Sequence, residues 1–130
     1  MEHRLRTALL DWLRADPTLA YELNAIEEES PVSASPPWLG IAASAGTDWS
    51  VKGRRGREIR LGLELFDRTD DAARIAATAE RVEQRIATFM PDEPDFALAS
   101  IHFLRSRAER RKNNARAMLL EYRFRVLAPA

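Results

Sequence analysis

The sequence predicts an α+β domain in which two helices pack on one face of a mainly antiparallel sheet. Three observations carry this reading. Residues 5–13 and 75–89 space their apolar side chains at the helical period, residues 57–66 and 115–127 alternate apolar with polar, and these segments run in the order helix, strands, long strand, helix, hairpin. A chain of 130 residues and 14.8 kDa has room for one core, so residues 1–130 are read as a single domain.

Taken in order, Leu5, Ala8, Leu9, Trp12 and Leu13 share one helical face while Arg4, Arg6, Asp11 and Arg14 point elsewhere. This amphipathic helix ends near Asp16-Pro17, because proline disfavours helix in the residue before it. Thr18 to Leu23 can add one short turn of helix, and Asn24 to Glu29 a brief extended stretch. Pro31, Pro36 and Pro37 then oppose regular pairing, which suits a loop with an edge strand. Trp38 to Ala43, apolar and bounded by Pro and Gly, reads as a strand buried on at least one face. Gly46 to Gly56 combines three glycines with Asp48, Trp49, Lys52, Arg54 and Arg55 and reads as an exposed loop.

From Arg57 to Phe66 the alternation places Ile59, Leu61, Leu63 and Leu65 on one face and Glu58, Arg60, Glu64 and Phe66 on the other, a long strand. Asp70 and Asp71 open a second helix at the end where its dipole favours negative charge, and Ile75, Ala79, Val82, Ile86 and Phe89 or Met90 trace its buried stripe before Pro91. Phe96 to Arg110 and Ala115 to Leu127 form a hairpin around Asn113 and Asn114, residues that tolerate left-handed turns. In its second strand Met118, Leu120, Tyr122, Phe124 and Val126 face the core, opposite Leu119, Glu121, Arg123 and Arg125.

Composition narrows the function. Hydrophobic residues at 45% and charged residues at 31% suit a globular fold. With no cysteine, and with His3 and His102 as its two histidines, the chain offers neither a disulfide framework nor a Cys- or His-based metal cage. No apolar run approaches the roughly 20 residues of a membrane span, and the charged first residues do not form a signal peptide, so a cytoplasmic origin is expected. Zero net charge hides a gradient: residues 1–50 carry 8 acidic and 3 basic side chains, whereas residues 101–130 carry 2 and 8. Eighteen of the 20 basic residues are arginine, suited to planar pairing with carboxylate or phosphate. Opposite charge blocks can pair between copies or neutralise each other within one.

No phosphate loop, dinucleotide turn, HExxH helix, GxSxG elbow or EF-hand is present. The acidic runs Glu27-Glu28-Glu29 and Asp92-Glu93-Pro94-Asp95 read as solvated surface, since consecutive carboxylates diverge. His102, between Ile101 and Phe103, reads as a partly buried structural residue. No catalytic, metal or cofactor residue is therefore assigned, and the chain is not expected to be an enzyme. Trp12 and Trp38 are read as core, while Trp49, in a polar loop, is read as an interface anchor. The cations Lys52, Arg54, Arg55, Arg57, Arg105, Arg107, Arg110 and Arg111 join it as candidates. The same residues would serve a small nucleic-acid-binding module, although such a domain usually carries excess positive charge.

The block Asp48-Trp49-Ser50-Val51-Lys52-Gly53-Arg54-Arg55-Gly56-Arg57-Glu58-Ile59-Arg60-Leu61, followed by a helix, by Ile101-His102-Phe103-Leu104-Arg105-Ser106-Arg107 and by Leu120-Glu121-Tyr122-Arg123-Phe124-Arg125-Val126, resembles the tail terminator (tail completion) proteins of long-tailed phages and alphaproteobacterial gene transfer agents. The resemblance implies a structural subunit that forms a hexameric ring on the completed tail tube, stops its polymerisation and meets the head-side connector or stopper protein. DNA would pass through the lumen without sequence recognition. The protein would reside in the bacterial cytoplasm during assembly and then at the head–tail junction of the particle. Trp49 and the arginines would lie at subunit and tail-tube contacts.

Overall fold

Helix α1 (Glu2–Arg14), helix α2 (Pro17–Glu22), strands β1 (Ala25–Glu27), β2 (Trp38–Asp48) and β3 (Gly56–Arg68), helix α3 (Ala72–Ala87) and strands β4 (Ala97–Arg110) and β5 (Ala115–Leu127) follow one another in the computed structural model. It describes residues 1–29 and 33–129, so the expectation at Pro31 lies outside the described residues. The strands form one sheet in the order β1-β2-β3-β5-β4, parallel between β1 and β2 and antiparallel elsewhere.

The alternation seen in the sequence becomes the two faces of this sheet. Ile59, Leu61, Leu63 and Leu65 of β3 stand opposite Phe124, Tyr122, Leu120 and Met118 of β5. With Leu39 and Ile41 they pack in one core with Leu5, Leu9, Leu10 and Leu13 of α1, Leu19 of α2, and Ile75, Ala79, Val82 and Ile86 of α3. Both anticipated helical stripes therefore face the sheet. Phe89 is buried and Met90 exposed, which resolves the open end of the second stripe.

The helices are anchored by their termini and by polar links. Asp16 caps α2, its carboxylate accepting from the Thr18 and Leu19 amides at 2.9 and 3.2 Å, with Pro17 in the first turn. Asp71 caps α3 through the Ala73 amide at 2.9 Å. The Arg85 guanidinium lies 3.8 Å from the Trp12 ring centre and donates to the Trp12 carbonyl, while the Trp12 indole donates to the Arg85 carbonyl at 2.8 Å. Arg81 binds Glu22 at 2.8 Å, joining α3 to α2. Asp67, buried at the end of β3, accepts two bonds from Arg74, both at 2.9 Å.

Three expectations are corrected. The helical layer has three members, because α2 buries Leu19 in the same core. β2 continues to Asp48, so Gly46 to Asp48 are strand and the loop begins at Trp49. The apolar signal fades after Ile41 because every residue from Ala42 to Asp48 is exposed, leaving β2 held there by its pairing with β3. Trp38 is buried away from the main core: it pairs with Phe66 across β2 and β3 and stacks on it at 5.1 Å, on the face opposite the helices.

Candidate assembly surfaces

The loop between β2 and β3 is locked by its own residues. Ser50 donates its hydroxyl to Asp48 at 2.7 Å and accepts from the Gly56 amide at 3.2 Å, while the Trp49 amide donates to the Gly56 carbonyl at 3.0 Å. Val51 and Arg54 exchange backbone bonds of 3.0 and 2.9 Å around Lys52-Gly53, where Gly53 adopts a φ of 78° that suits the third position of a type II turn. The Ser50 hydroxyl, and behind it Arg57 and Arg55, hold the Asp48 carboxyl below the usual carboxylate range. Arg54 donates to the Ala128 carbonyl at 2.6 Å and the Ala128 amide donates to the Arg55 carbonyl at 2.8 Å, so the loop clasps the chain just beyond β5.

Gly56 lies where this clasp is tightest. A Cβ there would fall 2.3 Å from the Trp49 carbonyl oxygen and 3.0 Å from that of Val126. The Trp49 ring is half-buried, with the Arg125 guanidinium 5.2 Å from its centre. Trp49 is therefore partly covered within its own chain, more so than a bare loop reading implies.

The β4–β5 turn is built on Asn113 and Asn114, with φ of 61° and 60°. Of the four arginines assigned to its tip, Arg110 and Arg111 lie there. Arg105 and Arg107 lie farther down β4, opposite Glu121 and Leu119. Arg105 forms two bonds with Glu121, which hold that carboxyl below its ordinary range. Arg111 bridges Glu64 at 2.8 Å and Glu109 at 3.2 Å. Arg54, Arg105 and Arg111 are thus engaged inside the chain, whereas Lys52, Arg55, Arg57, Arg107 and Arg110 have no ion pair among the described residues.

The two candidate patches occupy opposite ends of the sheet. Gly56 is level with Leu127 and Arg68 with Ala115, so the length of β3, 13 residues or about 40 Å, separates loop from turn. Sequence reasoning placed one edge strand, within which β1 lies, but missed the other edge of the sheet. β4 is an edge strand, exposed along most of its length, with Phe103 at 45% and Leu104 at 36% exposure. His102 is exposed as well, which corrects the expectation of partial burial; it stands beside Arg123, on the sheet face away from the helices, while its neighbour Ile101 packs against the core. Alternation in the sequence marks faces, and edges arise only from strand order.

Among the described residues no group of three or more His, Cys, Asp or Glu side chains is placed to hold a metal ion, and no helix is long and apolar enough to cross a membrane. The family model described as tail completion protein gp17 matches residues 7–127. A comparison with curated proteins finds no match. Among solved structures, a chain from the virion of a native gene transfer agent particle is similar in fold, with a TM-score of 0.79 and 23% identity over 95% of each chain.

Proposed function

The chain belongs to the tail completion protein gp17 family, and from that premise we propose that it assembles as a hexameric ring capping the tail tube. The ring ends tube polymerisation and joins the tail to the head-side connector or stopper protein, with DNA passing through the lumen. The role is structural. The observation that carries this reading is the family match over nearly the whole chain, residues 7–127.

The fold supports it with a division of surfaces. A subunit standing in a ring with its strands roughly along the axis presents one end of the sheet upward and the other downward. Here those ends are the ordered loop with Trp49, Lys52, Arg55 and Arg57, and the turn with Arg110 and Arg111. One end meets the tube and the other the connector. The unpaired cations Lys52, Arg55, Arg57 and Arg110 face partner carboxylates, a contact that fixes orientation and speeds association more than it adds affinity.

The test combines mass in solution with electron microscopy of tail tubes. Rings, alone or on tube ends, and tubes that stop growing when the protein is added are the expected result. A protein that stays monomeric with tubes present and leaves their length unchanged would refute the reading. Binding to free nucleic acid in place of tubes would favour the nucleic-acid-binding alternative.

A further inference from the structure

We infer that neighbouring copies join by continuing the sheet, with the open edge of β2 over Ala43–Asp48 in one copy pairing antiparallel with the edge of β4 over Leu98–Arg105 in the next. This rests on the ring proposed above and specifies its lateral contact. β1 covers only Trp38, Leu39 and Gly40, so beyond them the outer side of β2 is unpaired among the described residues. β4 is paired with β5 alone.

The two edges lie at the same height. Ala45 is level with Arg60, Arg123 and His102, and Ser44 with Leu61, Tyr122 and Phe103. Rotation about an axis along the strands preserves height and direction, and β2 and β4 run oppositely within the sheet, so the two edges meet antiparallel.

Their chemistry is complementary. The β2 edge carries small side chains, Ala43, Ser44, Ala45 and Gly46, to set beside the exposed Phe103 and Leu104; on the helix side Arg6 donates to Ser44 and the Glu2 side chain lies over Gly46, leaving Ala43 and Ala45 the open positions. Glu29 lines the groove beside Ala42, Ala43 and Ser44, where Arg6 is paired with Glu28, and Asp48 ends the strand, whereas β4 brings His102 and Arg107, with Arg105 held by Glu121. Bulges at Ala99 and Leu104 bracket the regular run Ser100–Phe103, which restricts pairing to one short register and limits uncontrolled edge association. Contact between opposite edges is head-to-tail and closes into a ring when the rotation allows.

The absence of cysteine in the sequence makes a direct test clean. Within one chain Ala45 and His102 are three strand spacings apart, about 14 Å, beyond the reach of a disulfide. Oxidation of the Ala45→Cys, His102→Cys double variant, with tail tubes present, should convert most of the protein into reducible multimers, while each single variant gives none. Pairing Ala45→Cys with Ser100→Cys or Leu104→Cys covers the adjacent registers. Hydrogen exchange on the unsubstituted protein is the second readout: assembly should slow amides of residues 43–48 and 98–105 at least tenfold. Rings by mass with no cross-link in any pair and unchanged exchange at both edges would overturn the shared sheet while leaving the ring standing. Neither rings nor capped tubes would remove the ring itself, and this contact with it.

Discussion

Replacing Gly56 by alanine should loosen the loop from the end of β5. The new Cβ would meet the Trp49 carbonyl oxygen at 2.3 Å, the Leu127 Cδ2 at 2.9 Å and the Val126 carbonyl oxygen at 3.0 Å. A leucine methyl can turn aside, but the two carbonyls belong to backbone held in register by the Trp49–Gly56 and Ser50–Gly56 bonds. Relief therefore requires a backbone shift, costing about 1–3 kcal/mol as overpacking, and weakens at least one hydrogen bond, about 1 kcal/mol more. A total of about 2–4 kcal/mol corresponds to a fall in melting temperature of roughly 10 °C for a domain of this size. Gly62→Ala is the matched control: its Cβ would meet the nearest atoms, both of Ala43, at 3.7 and 3.9 Å, an ordinary contact. Circular dichroism melts should show Gly56→Ala well below the parent and Gly62→Ala unchanged or slightly raised. Equal melting of the two variants would refute the clasp.

Other expectations follow from the same geometry. Leu9→Ala, at a fully buried position, should cost about 2–5 kcal/mol in chemical denaturation. Trp49→Ala should lower the monomer's stability by about 1 kcal/mol through loss of the Arg125 contact, yet weaken assembly by about 2 kcal/mol or more, near thirtyfold, if Trp49 is an interface anchor; equal small effects on both would remove it from the interface. Lys52→Glu and Arg110→Glu, at exposed positions, should harm ring formation while leaving melts within about 0.5 kcal/mol, whereas Arg57→Glu sets a like charge opposite Asp48 and Arg54→Glu breaks the bond to Ala128, so both should also disturb the fold. Because the folded pKa of Asp48 is depressed, the stability it contributes is complete above the ordinary aspartate range near pH 4 and is lost as pH falls through its lowered value. Trp49 fluorescence should follow that acid transition, and Asp48→Asn should remove the Asp48 component.

The sheet's two faces were legible because burial on one side imposes a period of two: Ile59 to Leu65 and Met118 to Val126 declared themselves by spacing. The start of α3 was readable from Asp70 and Asp71, of which Asp71 caps it, whereas Asp16, read only as the end of α1, also caps α2. The second half of β2 was not legible, because Ala42 to Asp48 bury nothing and are strand only through β3. In the candidate patches, spacing located the arginines but could not show that Arg105 is spent on Glu121, Arg111 on Glu64 and Arg54 on the Ala128 carbonyl, partners 16, 47 and 74 residues away. The Asp48-Trp49-Ser50 and Arg55-Gly56-Arg57 block carried the family signal, and its chemistry is partly architectural, since Asp48, Ser50 and Gly56 hold the loop together.

The proposed role of this chain is to complete a tail by forming a ring on the tube. Electron microscopy of tail tubes grown with and without the purified protein tests it most directly. Tubes grown with the protein should end in a discrete ring with an open lumen and no longer elongate when further tube subunits are added. Bare tube ends and continued elongation, at protein concentrations where the chain is folded by circular dichroism, would contradict it.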